Sequence, residues 1–339
     1  MKHYKYGVLI GRFSPIHNGH VALIKHSLQY VNELIIVVGS SYRARSTYIP
    51  FTYDERVSMI TMAIPTELRN RIKFTYVEDS PYNDPKWLAD VQHAVMQEVA
   101  DKTPNSFIGL CGMKKDNSSY YLNQFPQWGE VPYVVDPDNV LSATNARRHF
   151  FVGAFDFVHE MCPTPVANWL EKWTKLPTYA QLVADYNYEI GYADKWGPGP
   201  HVTVDSCVIQ AGHILLVERG GDYGRGTLAL PGGFLNRDET IIQGIIRELR
   251  EETRLKVPDK VLLGCMETPV VFDHPFRSNR GRIITHAAKI VLNNVGELPK
   301  VVGSDDAKRA TWYPISQLPD LSEQMFEDHG FIIQKLLGL

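Results

Sequence analysis

The segment Gly11-Arg12-Phe13-Ser14-Pro15-Ile16-His17-Asn18-Gly19-His20 joins a glycine, an arginine, a proline-stiffened loop and two histidines, directly after the apolar run Tyr6 to Ile10. A strand, a loop and a helix start in that order form a phosphate cradle. The free N–H groups and positive dipole end of the helix favour an anion, and imidazoles at its mouth stabilise charge that develops during phosphoryl or nucleotidyl transfer. His17 and His20 are therefore catalytic candidates, with Gly11, Arg12 and Phe13 lining the same loop. About 230 residues later, Glu248, Glu251 and Glu252 are spaced i, i+3 and i+4, which puts them on one face of a helix. Carboxylates so placed repel one another, and a hard divalent cation with oxygen ligands is their natural occupant. Two phosphate-handling motifs of different chemistry in one chain imply two enzymes fused.

The elements that must position these residues divide in the same way. At 339 residues the chain exceeds one ordinary core, and composition (44% hydrophobic, 22% charged) is that of a soluble globular protein. The first half alternates β-branched runs with helix-length stretches, which predicts a doubly wound α/β parallel sheet. Its expected strands are Tyr6 to Ile10, Leu34 to Val38, Ile72 to Val77, Phe107 to Leu110 and Tyr133 to Val135. Helices are expected near Gly19 to Tyr30, Tyr53 to Ala63 and Lys86 to Val99, the second opened by a Thr52/Glu55 capping box, with further helices after Asn145, over Thr164 to Lys175 and over Tyr179 to Ile190. Gly197-Pro198-Gly199-Pro200 breaks the pattern. The expected domains are 1–185, a linker over 186–200, and 201–339 with a mixed sheet, a strong helix at Glu239 to Thr253 and a final one near Ser322 to Leu337. On the strong helix Ile242, Ile245, Ile246 and Leu249 form the stripe expected to be buried.

The net charge of -3 gives no broad positive field, so nucleic acid is not an expected partner. Cys111, Cys162, Cys207 and Cys265 have no Cys-x-x-Cys spacing and read as reduced thiols of a cytoplasmic protein. No apolar run approaches membrane-spanning length, so no membrane association is expected.

The Gly11 to His20 segment resembles the first motif of the nucleotidyltransferase superfamily that includes nicotinamide mononucleotide (NMN) adenylyltransferases. Ser142-Ala143-Thr144-Asn145-Ala146-Arg147 resembles that family's Ser-x-Thr-x-x-Arg motif. The resemblance implies that Ser142, Thr144 and the helix start hold ATP phosphates and that Arg147 adds a fixed positive charge; Ala146 departs mildly from the family form. Pro50-Phe51-Thr52, Glu55-Arg56, Met59-Ile60, and Asn83 followed by Trp87 resemble the archaeal-type branch, in which the tryptophan region contacts the nicotinamide nucleotide. Arg43 and Arg45, in the loop after the second strand, are candidates to reach phosphate.

In the second half, Gly233, Glu239, Arg247, Glu248, Glu251 and Glu252 match the spacing of the Nudix box, introduced by Pro231-Gly232-Gly233-Phe234. The resemblance implies Glu248, Glu251, Glu252 and Gly232 at the metal, with Glu251 counted among the catalytic residues. Arg254 stands where the box has glycine, which puts the turn geometry at the end of the helix in question. Arg277, Arg280, Arg282 and Thr285-His286 resemble the substrate loop of ADP-ribose-hydrolysing members fused to NMN adenylyltransferases, and Glu267 is an extra base or ligand candidate.

The chain is thus similar throughout to bifunctional NMN adenylyltransferase/Nudix ADP-ribose pyrophosphatases. That similarity implies Mg2+ or Mn2+ at both sites, ATP as a substrate, and ATP, NMN, NAD and ADP-ribose as small-molecule partners, with a homo-oligomer left open. Two rivals stand beside it. The same folds would serve another nucleotidyl acceptor and another nucleoside diphosphate, or the second domain would sense its ligand without turnover, against which the retained glutamates argue.

Overall fold

Tyr4–Gly11 forms strand β1 because alternate residues on both of its faces are apolar; Val8, Leu9 and Ile10 are all buried. The computed structural model describes residues 3–100, 103–112, 121–133, 141–292 and 297–339, and the chain divides into two compact units, Met1–Val183 and Ala184–Leu339.

In the first unit β1 is followed by α1 (Asn18–Ser27), β2 (Val31–Val38), α2 (Tyr53–Ala63), the short α3 (Thr66–Arg69), β3 (Ile72–Tyr76), α4 (Asp84–Glu98), β4 (Ile108–Cys111) and β5 (Gly129–Val131). The strand order is β3-β2-β1-β4-β5 and every pairing is parallel. The chain builds outward from β1 to β3, then crosses back to β4 on the other side of β1. The switch point therefore falls between β1 and β4, where doubly wound sheets open a ligand crevice beyond the strand ends. Thr52 and Glu55 form the capping box expected of α2. The fifth strand lies at 129–131 rather than at Tyr133 to Val135, and residues 134–135 of the expected strand lie outside the described residues.

Helices α5 (Ala143–Phe151), α6 (Phe155–Met161), α7 (Thr164–Trp173) and the long α8 (Pro177–Trp196) follow. Residues 186–196, expected as linker, are instead the last turns of α8, because Tyr188 and Tyr192 give that stretch a face to bury: Tyr192 is buried and Tyr188 packs against the core of the second unit. Gly197 with φ 84 then stops the helix.

The second unit contains β6 (His201–Gln210), β7 (His213–Arg219), β8 (Leu228–Ala229), β9 (Gly232–Phe234), α9 (Ile241–Thr253), α10 (Asp259–Cys265), β10 (Val270–Phe272), β11 (Ile283–Leu292), β12 (Ala307–Pro314) and α11 (His329–Leu337). Its sheet runs β10-β11-β6-β7-β12, with β8 on β7 and β9 on β6; β6 and β11 pair parallel and the other pairings are antiparallel. Helix α9 packs Ile245 and Leu249 into the core, whereas Ile242, expected in the same buried stripe, is 43% exposed because Ile241 beside it takes the core-facing place in the first turn. The expected final helix over Ser322 to Leu337 is divided. Met325 bridges Leu228, Phe326 N–H donates to the Leu228 carbonyl at 2.7 Å, and a turn at Glu327, with φ 42, and Asp328 follows, so helix resumes only at His329.

Candidate active sites

At the end of β1 the chain doubles back tightly. A Cβ on Gly11 would lie 2.9 Å from the Phe13 ring, and Phe13, buried, holds the left-handed backbone region at φ 49, a conformation an aromatic residue adopts only where its surroundings enforce it. The loop delivers His17 as N-cap of α1. His17 and His20 stack with ring centroids 3.8 Å apart, and His20 also tilts against Phe13 at 4.9 Å. His17 is buried and His20 half-buried, so one ring supports the other at the mouth of the helix.

Ser142 caps α5 by accepting the Thr144 N–H at 3.2 Å, and the Thr144 hydroxyl accepts from Arg147 at 3.3 Å. Arg147, itself buried, donates to the Ser14 carbonyl at 2.7 Å and thereby ties α5 to the β1–α1 loop, bringing the two motifs into one place. Sequence reasoning missed Tyr48, whose ring lies 4.5 Å from the Arg12 guanidinium and 5.1 Å from that of Arg147. Burial and then the nearby Arg12 pull Arg147 down to about 10. Arg12 keeps solvent-accessible surface, yet the protein packed around it also lowers its pKa. Cations strained in this way favour a polyanion beside them.

Other candidates are used elsewhere. Arg43 pairs with Asp79 at 2.8 Å, and Arg45 pairs with Glu55 at 2.5 Å while donating to the Pro50 carbonyl. Asn83 is the N-cap of α4, accepting the Lys86 N–H at 3.2 Å, and Trp87 packs half-buried against Tyr121 and Phe125 at the core of the first unit. Both have structural partners that account for them.

In the second unit Thr240 and Gln243 cap α9, and Glu239, just before it, takes a different role. Arg247 grips Glu239 through two bonds of 2.8 and 2.6 Å and also donates to Glu248 at 2.8 Å, Glu251 at 2.7 Å and the Phe234 carbonyl at 3.0 Å. The Arg247 hydrogen bonds hold the Glu239 carboxyl down at about 2. Glu252 has the opposite environment: buried, it accepts the Gly232 N–H at 3.0 Å, and burial, with Glu248 adding repulsion, pushes it up to about 8. Burial raises Glu248 as well. A Cβ on Gly233 would sit 2.5 Å from the Glu248 carboxylate, so glycine alone leaves room for that acid under the loop.

The three glutamates thus share one helix face, but among the described residues no three acidic, histidine or cysteine side chains are gathered as a ligand set: Arg247 bridges Glu248 and Glu251, and Glu252 accepts from the Gly232 N–H. The donors fit a hard divalent cation: carboxylate oxygens only, two of them on acids whose pKa burial raises and that a cation would relieve. For Gly232, also expected at the metal, the observed partner is Glu252.

Beside the cluster, the segment 302–306 docks on the end of α9, with Val302 N–H donating to the Thr253 carbonyl at 2.9 Å and Ser304 N–H to that of Glu252 at 3.1 Å. Arg254 closes the helix in the left-handed region at φ 51, so the backbone keeps the turn that glycine normally makes. Holding a side-chain residue there costs about 1 kcal/mol. Arg254→Gly is therefore expected to stabilise the second unit by about that amount, a rise of about 2–4 °C in its thermal transition, without changing turnover.

The arginines of the expected substrate loop divide. Arg277 is buried and forms a two-bond pair with Asp328 at 3.0 and 2.9 Å. Arg280 pairs with Glu327 at 3.0 Å inside a ring of Tyr192, Tyr223 and Phe326, and so is held within the fold rather than presented on a loop. Arg282 keeps more solvent contact and donates to the Asp273 carbonyl. Thr285 donates to buried Asp205, and exposed Glu267 pairs with Lys289 at 2.8 Å. Removing one partner of a buried ion pair strands the other charge, so Arg277→Ala is expected to destabilise the second unit by about 3–5 kcal/mol in urea unfolding followed by loss of its activity.

Comparison with known proteins divides the chain where its motifs do. The NUDIX domain model matches residues 199–336 and the cytidylyltransferase-like model residues 8–109. The chain is 34% identical over 186 residues to a nicotinamide/nicotinic acid mononucleotide adenylyltransferase of Acinetobacter baylyi, covering 55% of this chain and 95% of that protein. It is 34% identical over 133 residues to an ADP-ribose pyrophosphatase of Methanocaldococcus jannaschii, covering 38% and 73% respectively. Over 99% of both chains it is similar, at 34% identity and a TM-score of 0.88, to the crystal structure of a bifunctional NMN adenylyltransferase/ADP ribose pyrophosphatase from Francisella tularensis, also solved in complex with AMP and a manganese ion.

Proposed function

The chain belongs to the family of bifunctional NMN adenylyltransferase/ADP ribose pyrophosphatases, and from that premise we propose that its first unit makes NAD from ATP and NMN and its second cleaves ADP-ribose to AMP and ribose 5-phosphate. The observation that carries this is electrostatic. The first unit holds a buried arginine, Arg147, close to the more exposed Arg12, charges that an anion would relieve, and the second holds buried carboxylates that a cation would relieve.

In the first unit an oxygen of the NMN phosphate bonds to the α-phosphorus of ATP while the bond from that phosphorus to the bridging oxygen breaks and pyrophosphate leaves. Arg12 and Arg147 hold the phosphates against the helix starts of α1 and α5, Ser142 and Thr144 add donors, and His17 supports His20, which donates to oxygens that gain charge. No protein nucleophile is needed; positioning and charge stabilisation supply the rate. The two motifs offer arginines, histidines and hydroxyls but no carboxylate, so they fit the nucleotide phosphates, and a magnesium ion brought with ATP would supply further charge neutralisation.

In the second unit Glu248, Glu251 and Glu252 would hold magnesium or manganese, which when bound supplies a polarised diphosphate and an activated water. Arg247 would then keep its two bonds to Glu239 and give up those to Glu248 and Glu251. Water adds to a phosphorus of ADP-ribose, the bridging P–O bond breaks, and each product carries one phosphate. The pair of activities is tested on purified protein with magnesium, incubated with ATP plus NMN and separately with ADP-ribose, products being separated by chromatography. Failure to form NAD rejects the first assignment, and failure to release AMP from ADP-ribose rejects the second.

A further inference from the structure

Arg56 is among the largest fully buried side chains of the protein, 1% exposed, and sits in the first turn of α2, where the positive end of the helix dipole disfavours a cation. Among the described residues no carboxylate pairs with it: Asp79 is taken by Arg43 and Glu55 by Arg45. Its five N–H groups go to five uncharged oxygens. Nε donates to the Thr52 carbonyl at 3.2 Å, Nη1 to those of Arg12 at 2.9 Å and Gly39 at 2.6 Å, and Nη2 to the Ser40 carbonyl at 3.1 Å and Ser41 Oγ at 3.3 Å. Burying a charge without a counter-ion is costly, so a cation in this place calls for a reason beyond packing.

The acceptors supply that reason. Arg12 lies in the loop that leaves β1, and Gly39, Ser40 and Ser41 lie in the segment that leaves β2, both at the strand ends where a doubly wound sheet meets its ligand. Gly39 N–H donates to the Gly11 carbonyl at 2.9 Å, so the two loops already touch, and one rigid guanidinium fixes their separation. We propose that Arg56 is a positioning residue for adenylyl transfer, a role that rests on the activity proposed above: by gripping the Arg12 carbonyl it sets the side chain that meets the phosphates, and it adds behind that loop a positive charge bonded only to uncharged oxygens. Burial lowers Arg56 to about 10 against the pull of Asp79, with Arg43 and Arg12 adding to the lowering, the direction expected of a charge that a bound polyanion would offset.

The test uses full-length Arg56→Lys and Arg56→Met, with NAD formation measured against ATP at saturating NMN, ADP-ribose cleavage in the same samples, and thermal unfolding. Lysine keeps the charge but has three donors and no planar fork, so Arg56→Lys is expected to raise the KM for ATP about tenfold and lower kcat about tenfold, with ADP-ribose cleavage unchanged. Arg56→Met is expected to lose more, and low concentrations of guanidinium chloride to restore part of its ATP affinity where equal sodium chloride does not. A lysine variant within about twofold of wild type in both constants overturns the proposal. So does a loss confined to kcat with the KM for ATP unchanged, the mark of a partly unfolded population. Loss of a folded first unit in both variants, with His20→Ala still folded, assigns Arg56 to stability and also overturns it. A wild-type protein that forms no NAD removes the underlying activity instead, an outcome distinct from a wild-type-like lysine variant of an active enzyme.

Discussion

His20→Ala is expected to lower NAD formation by about 10²–10³-fold while leaving ADP-ribose cleavage by the same molecules intact. The size follows from its place. His20 is half-buried at the start of α1, stacked on His17 and tilted against Phe13, so its ring is held before substrate arrives and nothing has to be reorganised during the reaction. A preorganised donor aimed at developing charge acts on kcat, whereas a ground-state contact acts on the KM. The loss should therefore fall mainly on kcat for ATP and NMN. Fold damage is limited, because the alanine removes only the long 3.4 Å bond that His20 Nδ1 accepts from the His17 N–H at the helix start and leaves the Arg147 bond to the Ser14 carbonyl in place. Steady-state kinetics of both reactions on one preparation decide it: unchanged NAD formation rejects His20 as a catalytic group, and a parallel fall in both activities points to misfolding.

The sequence disclosed groups whose chemistry is written in a local spacing. The β1–α1 motif, the Thr52/Glu55 box and the α9 glutamates are each contained within a dozen residues, and each takes the expected local form. What stayed hidden was the competition for those groups by partners distant in sequence. Arg277 and Arg280 read as a basic loop because Asp328 and Glu327, which bury them, lie some fifty residues further on. The cap bond of Asn83 and the packing of Trp87 on Tyr121 and Phe125 were likewise not visible from their neighbours in sequence alone. Tyr48 gave no signal, its role arising only where Arg12 and Arg147 converge. Arg56 did give one: a cation in the first turn of a helix whose cap is already satisfied runs against the dipole, and such local conflicts often mark function. The last helix was overextended because the Phe326 bond to the Leu228 carbonyl is a pairing across about a hundred residues.

Glu252→Gln is expected to lower ADP-ribose cleavage by more than about 100-fold with NAD formation untouched, since even outer partners of a metal site cost about 10–100-fold when removed. Glu252 is the more telling choice than Glu251, which is exposed and tied to Arg247, because Glu252 is buried against the Gly232 N–H. The same variant has a pH signature. In metal-free protein the folded carboxyl titrates near 8, against 4.5 for an unperturbed glutamate, so folding favours its protonated form. Its contribution to stability is full below about pH 4.5 and is lost as pH rises through about 8. With the metal chelated, the thermal transition of the second unit should thus fall between about pH 5 and pH 8 in wild type and fall less in Glu252→Gln, where nothing ionises at that position. Adding magnesium should reverse the wild-type trend, because the cation stabilises the carboxylate and displaces its proton, and apparent metal affinity should climb over the same interval. Glutamine forfeits this response along with the ligand. Equal pH slopes in the two chelated proteins would remove Glu252 from the titration, and wild-type rates in the variant would remove it from the metal site.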